Sequence, residues 1–162
     1  MNTTILGIDP GTRKTGWGVV RITGGKSVFV AGGTLRLDRA PTLSHRLALL
    51  AAELETLLDT HQPDHCAVEQ VFHGKNARSA LVLGHARGVV LAMVGRRAIP
   101  IFEYSPSQVK QAVTGSGRAA KEQVNRMVRL LLAHQPPLAE DEADALAVAL
   151  AHGVAIPLLG KQ

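Results

Sequence analysis

The chain has 162 residues, of which 46% are hydrophobic and 19% are charged, and it carries a formal net charge of +5 and a single cysteine. A length near 150 residues predicts one domain, here residues 1–162, and this composition excludes an intrinsically disordered chain. One cysteine excludes an internal disulfide and a zinc site built on cysteines.

The first sixty residues predict three strands and a helix. Residues 4–9 have the apolar composition of a buried strand and end at a Pro-Gly turn, while residues 17–23 and 27–34 flank a Gly-Gly hairpin signal. Leucines at helical spacing then predict a helix that runs from a cap at Ser44 to about residue 60.

Strands and helices alternate in the remainder of the chain. The predicted elements are, in order, a strand over 65–69, a loop over 70–76, a helix over 77–94, a strand over 99–104, a short helix opened by Ser105 and Pro106, a helix over 120–134 and a helix over 139–154. Three early strands followed by this alternation predict an α/β fold in which helices flank a mixed sheet.

Four acidic residues are candidates for a metal site. Asp9 and Glu69 end two strands that we expect to be neighbours, and α/β sheets form their sites beyond the carboxyl ends of strands. Asp141 and Asp144 are three residues apart, so they share one face of a helix. Oxygen ligands of this kind suit Mg²⁺, and Mn²⁺ equally. Two such ions about 3.5–4 Å apart activate water and stabilise the leaving oxygen of a phosphodiester.

Each acidic residue also has an ordinary structural explanation. The Asp-Pro-Gly string at Asp9 is common in turns, and Glu69 alone is compatible with a solvated charge at a strand end. The acidic run 140–144 suits a helix N terminus, where negative charge is favourable. It is the joint pattern of the four residues that predicts a metal site.

Basic residues are concentrated in the middle of the chain. Residues 73–129 contain ten lysines and arginines and only two acidic residues. Such a segment favours a polyanionic partner, because each phosphate that a cationic side chain neutralises releases condensed counterions. A solvated basic surface without a partner is equally compatible with the charge alone.

Five segments, taken in order, resemble the RuvC family of Holliday junction resolvases. They are GIDPGTRKTGWGVV (7–20), AVEQVFHGKNARSALVLGHARGV (67–89), FEYSPSQVKQAV (102–113), GSGRAAKEQVNRMV (115–128) and ADALAVALAH (143–152). The resemblance implies a ribonuclease H-like fold with a five-stranded mixed sheet, the first three strands antiparallel, and helices on both faces. It implies symmetric, metal-dependent incision of four-way DNA junctions that leaves 5′-phosphate and 3′-hydroxyl ends.

The resemblance also implies roles for individual residues. Two Mg²⁺ ions are held by acidic residues, with Asp9 bridging them: Asp9, Glu69, Asp141 and Asp144. Some members carry His at the position of Asp141, and the flanking Glu140 and Glu142 leave the register of the helical ligands open. Lys121 stabilises developing negative charge and Lys110 lies near the scissile phosphate. Phe72 stacks on unpaired junction bases, and three residues contact the DNA backbone: Lys75, Arg78 and Arg118.

Partners follow from the same resemblance. The helix over 77–94 carries apolar residues on more than one stripe, which is compatible with a helix buried in one domain or with the two-fold homodimer of the family. The branch-migration proteins RuvA and RuvB are further implied partners. We expect a cytoplasmic protein without membrane contact, because no basic residues precede the first apolar run and no stretch of about 18 residues is both apolar and uncharged.

Three other functions compete with junction resolution. A related ribonuclease H-like nuclease that acts on RNA shares the strand and turn at Asp9, although the basic stretch 107–129 and Phe72 favour junction DNA. An actin-like or sugar-kinase ATP site also begins in this way, but it requires a chain about twice as long with a second phosphate loop. A DNA-binding module without catalysis would tolerate the loss of all four acidic residues.

Overall fold

Five strands form one mixed sheet in the structure, a computed structural model that describes residues 2–70, 77–133 and 137–159. The strands are β1 (Asn2–Asp9), β2 (Lys14–Thr23), β3 (Lys26–Arg36), β4 (His65–Glu69) and β5 (Ile101–Tyr104). Their order across the sheet is β3-β2-β1-β4-β5. The first three are antiparallel, and β4 and β5 run parallel to β1, as the expected fold class requires.

Five helices cover both faces of this sheet. They are α1 (Leu43–His61), α2 (Ala77–Arg96), α3 (Pro106–Thr114), α4 (Lys121–Leu131) and α5 (Glu140–Leu159). One core lies between the sheet and α3, α4 and α5, and the other between the sheet and α1 and α2. The α/β architecture expected from the order of elements is therefore confirmed.

Helix starts follow local capping chemistry. The expectation of a cap at Ser44 is wrong, because Thr42 has the extended backbone of a cap and its hydroxyl accepts a hydrogen bond from the His45 amide. Ser44 itself falls within the first turn of α1. Ser105 caps α3 as expected, in a capping box with Gln108.

The central strand alternates between the two cores. Ile5 is fully buried on the α5 side, whereas Leu6 and Ile8 are fully buried on the side of α1 and α2. A strand that is covered on both faces needs apolar residues in near-continuous runs, as β1 has. Its last residue, Asp9, therefore lies at the carboxyl end of a buried central strand.

Glycines in β1 and β2 let α5 lie directly on the sheet. A Cβ atom at Gly7 would lie 2.1 Å from the carbonyl oxygen of Ala145, and one at Gly16 would lie 1.9 Å from that of Asp141. No larger residue fits at either position without moving the helix. This close approach places the acidic N terminus of α5 over the last residues of β1 and the first residues of β2.

Helix α2 leaves much of its apolar surface uncovered. Among the described residues it is the one helix long and apolar enough to cross a membrane, with a mean hydropathy of 1.3, and 22% of that stretch is buried. Its buried residues include Val90 and Val94, which pack in the core with α1. Arg87 on the same helix pairs with Glu103 of β5, so α2 is an integral element of this fold.

Candidate active site

Asp9 and Glu69 lie side by side at the carboxyl ends of two neighbouring strands. They end β1 and β4, which are adjacent parallel strands with Ile8 paired to Val68, so both side chains emerge at the same level. Their carboxyl groups are joined by a hydrogen bond. The structure therefore brings together two residues that are sixty positions apart in the chain.

The turn after Asp9 is fixed by a buried threonine. Thr15 has no solvent exposure, and its hydroxyl donates to the Gly11 carbonyl at 2.8 Å while it accepts from the Gly11 amide at 3.2 Å. Both hydrogen bonds close the turn between β1 and β2. The sequence alone gives no reason to select Thr15, because a threonine at a strand start carries no distinctive signal.

The N terminus of α5 supplies further acidic residues. Asp141 and Asp144 both repel the carboxylate of Asp9, and Asp144 also repels that of Glu69. The other two acidic residues in the first turns of α5 make different contacts. Glu140 pairs with Lys121, and Glu142 accepts a hydrogen bond from the Ala139 amide and lies over Gly32.

Lys121 on α4 faces this acidic group. Its ammonium lies 2.8 Å from Oδ2 of Asp144 and 2.5 Å from Oε1 of Glu140. A cleft of about 230 Å³ opens here, and Lys110 on α3 shares its lining with Glu69. Two cationic side chains thus stand at the entrance to a group of carboxylates.

Burial and mutual repulsion shift the ionisation of the acidic pair. Burial, followed by repulsion from Glu69, Asp144 and Asp141, raises the pKa of Asp9 to about 7. The pKa of Glu69 is also raised, first by burial and then by Asp144, against the opposing effects of Asp9 and Lys121. The pair therefore shares a proton near neutral pH rather than carrying two full charges.

Lys121 is held in its charged form by the same carboxylates. Burial alone would lower the pKa of its ammonium, but hydrogen bonds and attraction to Asp144 and Glu140 outweigh burial and raise the pKa. In return, Lys121 lowers the pKa of Glu140. The ammonium already offsets part of the negative charge in the site.

The arrangement fits divalent cations by the chemistry of its donors. Neighbouring carboxylates repel that of Asp9 and help to raise its pKa, so a cation placed among them would be favourable, and hard oxygen ligands select Mg²⁺ or Mn²⁺. Within the described residues, no group of three or more Asp, Glu, His or Cys side chains is close enough together to hold a metal ion.

Of the remaining candidate residues, two lie outside the cleft and two lie outside the residues that the structure describes. Arg78 lies in the first turn of α2 and lines a separate groove with Thr12, which belongs to the turn after Asp9. Arg118 is exposed in the loop between α3 and α4. Phe72 and Lys75 lie outside the described residues.

Comparison with known proteins places this chain in one family. The sequence profile of the crossover junction endodeoxyribonuclease RuvC family matches residues 5–152. The RuvC of Pelotomaculum thermopropionicum is 46% identical over 91% of this chain and 91% of its own, and that of Halorhodospira halophila is 50% identical over 93% and 89%. A Thermus thermophilus RuvC solved in complex with a Holliday junction substrate superimposes with a TM-score of 0.90 at 33% identity, covering 96% of both chains. The chain belongs to the RuvC family of crossover junction endodeoxyribonucleases, a family of metal-dependent nucleases.

Proposed function

We propose that this chain is a structure-selective endonuclease that resolves four-way DNA junctions by paired, symmetric hydrolysis. The observation that carries the proposal is the convergence of Asp9 and Glu69 with the α5 acids beside Lys121. Hydrolysis by water at the phosphorus, with departure of the 3′ oxygen, gives 5′-phosphate and 3′-hydroxyl ends. The match to a RuvC bound to a Holliday junction supports the choice of substrate.

The proposed cofactor is a pair of Mg²⁺ ions, with Mn²⁺ as an acceptable substitute. Asp9, Glu69, Asp141 and Asp144 would hold them, since the other three all act electrostatically on Asp9. Bound ions of this kind activate the attacking water and stabilise the leaving oxygen. A proton shared by Asp9 and Glu69 must leave as the ions bind, so we expect tighter metal binding as the pH rises through about 7.

Lys121 and Lys110 are proposed to act on the phosphate. Both line the cleft with Glu69, and the Lys121 ammonium is partly exposed to an incoming substrate. A charged donor at this place stabilises negative charge that develops on the phosphoryl oxygens. Glu140, the second partner of Lys121, holds the ammonium at the entrance.

Contacts outside the cleft are proposed to position the junction. Arg78 and Arg118 are exposed and would meet phosphates of the arms, a role that orients DNA without reading its sequence. The stacking role of Phe72 and the backbone contact of Lys75 remain predictions from sequence, since neither residue is described. Stacking on one base contributes about 1–3 kcal/mol and tolerates any base.

A homodimer is proposed to present two such sites to one junction. The uncovered face of α2 carries Leu81, which is 69% exposed, and it borders an apolar groove that includes Leu47 and Val89. An apolar patch of this kind marks an interaction surface, and a two-fold axis would place identical sites on opposite strands. RuvA and RuvB are proposed as partners in branch migration, and the cytoplasm as the location.

The test is cleavage of a synthetic four-way junction by the purified full-length chain. We expect paired nicks at symmetric positions with Mg²⁺, none with EDTA, and no cleavage of a linear duplex of the same sequence. Asp9→Asn should bind the junction in a band-shift assay but fail to cut it. Cleavage that persists in EDTA, or equal cleavage of duplex, would contradict the proposal, and a preference for an RNA–DNA hybrid would replace it with an RNA-directed nuclease.

A further inference from the structure

Helix α5 meets the sheet through small residues. Ala145 and Ala149 pack on Gly7, and Leu146 covers Gly18. These apolar contacts bring the helix close to the sheet, but they are not directional. A slip of one residue would move the helix by about 1.5 Å and turn its side chains by about 100°, which would remove the acids from the sheet edge.

One buried polar side chain ties α5 to the sheet with directional bonds. His152 has no solvent exposure, and with Thr15 it completes the set of fully buried polar residues in the described part of the chain. Its Nδ1 lies 2.7 Å from the Tyr104 hydroxyl, and its Nε2 lies 2.9 Å from Nδ1 of His65. The ring of Phe102 stacks on it at 4.2 Å between centroids.

The three polar groups form a single hydrogen-bonded series. Burial, followed by repulsion from His65, lowers the pKa of His152 to about 4, so its ring is neutral at ordinary pH. A neutral imidazole has one donor and one acceptor, and both are used here. Replacement by an apolar residue would leave the polar atoms of Tyr104 and His65 without this partner, which is costly where they are shielded in part from water.

The series also connects the acidic residues on the sheet with those on α5. Tyr104 is paired with Glu69 across β4 and β5, and its carbonyl accepts from the Gln70 amide at 2.9 Å. His152 lies eight residues after Asp144 on one continuous helix, about 12 Å along its axis. A fixed position of His152 therefore fixes that of Asp144 relative to Glu69.

We propose that His152 is a positioning residue, which sets the register of α5 through Tyr104 and His65 and thereby holds Asp141 and Asp144 opposite Asp9 and Glu69. The inference rests on the proposed metal-dependent function, since it concerns the geometry of the same acids. Groups that orient metal ligands from outside the coordination sphere typically change metal affinity by about 10–100-fold when they are removed.

The test measures Mn²⁺ binding to the full-length protein by titration calorimetry, together with kcat and KM for junction cleavage. For His152→Leu we expect the Mn²⁺ dissociation constant to rise about 10–100-fold. We expect kcat to fall and KM for the junction to stay within about twofold, because the DNA-contacting surface is unchanged. His152→Asn and His152→Gln each retain one of the two hydrogen bonds and should give intermediate constants.

Leu150→Ala is the matched control, because it opens a cavity in the same helix without touching the hydrogen-bonded series. It should lower the melting temperature while leaving the Mn²⁺ constant within about twofold of wild type. Should His152→Leu fail to fold, Tyr104→Phe removes one hydroxyl only and should raise the constant in the same direction.

Two results would overturn the positioning role. One is an Mn²⁺ constant within about twofold of wild type in both His152→Leu and Tyr104→Phe, and the other is an equal rise in Leu150→Ala. A wild-type protein that binds Mn²⁺ but cuts no junction defeats the proposed function alone, because the affinity comparison still decides the role of His152. A wild-type protein that binds no Mn²⁺ defeats both.

Discussion

Asp9→Asn should stabilise the metal-free protein while it abolishes cleavage. The carboxyl group of Asp9 ionises near 3.8 in the unfolded chain, whereas burial and the surrounding carboxylates raise its pKa to about 7 in the fold. A pKa difference of one unit corresponds to 1.36 kcal/mol, so ionisation of Asp9 at pH 8 costs the folded state about 4 kcal/mol relative to the unfolded chain. An amide at this position keeps a hydrogen-bonding group next to Glu69 but carries no charge.

The pH dependence has a definite sign. Between about pH 4 and pH 7 the folded protein holds a proton on Asp9 that the unfolded chain has lost, so this group destabilises the fold progressively as the pH rises. The destabilisation of the fold by ionised Asp9 reaches its full value above pH 7 and is nearly absent at pH 4. Asp9→Asn should therefore raise the melting temperature in EDTA at pH 8, by about 2–4 °C for each kcal/mol, and far less at pH 4.

The assay is thermal unfolding of wild type and variant in EDTA at both pH values, repeated with Mg²⁺ at pH 8. Mg²⁺ should raise the melting temperature of wild type and have little effect on the variant. Asp59→Asn, which alters an exposed aspartate paired with Arg97, is the control and should change stability by no more than about 1 kcal/mol. A lower melting temperature for Asp9→Asn at pH 8, or an equal rise at both pH values, would show that the charge of Asp9 does not destabilise the metal-free fold.

Two further changes test the packing and the charge of the site. Gly7→Ala places a Cβ atom 2.1 Å from the Ala145 carbonyl oxygen, so α5 must move, and we expect a loss of about 1–3 kcal/mol in the free energy of unfolding measured with urea. Unchanged stability would mean that α5 lies farther from the sheet. Lys121→Met removes the ammonium that contacts Asp144 and should lower kcat for junction cleavage by about 10²–10³-fold in single-turnover assays, with junction affinity changed much less. A loss confined to binding would assign Lys121 to DNA positioning instead.

Local sequence patterns predicted the elements well where the signal is short-range. The Gly-Gly turn fixes the β2–β3 hairpin, and Ser105 followed by Pro106 fixes the start of α3. The start of α1 was misplaced by two residues, because Thr42 and Ser44 are both good caps and the choice depends on backbone angles. The last helix runs to Leu159 rather than Val154, since its apolar sequence has no stop signal.

The candidate site was predictable only in part. Strand ends and helical spacing were sufficient to propose that Asp9, Glu69, Asp141 and Asp144 converge, and the structure brings them within mutual electrostatic reach. The role of Glu140 could not be predicted, because its pairing with Lys121 depends on how α4 and α5 pack. His152 gave no signal either, since a histidine in an apolar helix is compatible with many partners.

The most direct test of the account is the position of bound metal. Crystals of the wild-type protein soaked in Mn²⁺ should show two anomalous peaks about 3.5–4 Å apart. Both should lie among the carboxylates of Asp9, Glu69, Asp141 and Asp144, and both should be absent in Asp9→Asn crystals. Full occupancy of Mn²⁺ at any other place, with these four carboxylates uncoordinated, would show that they do not form the metal site.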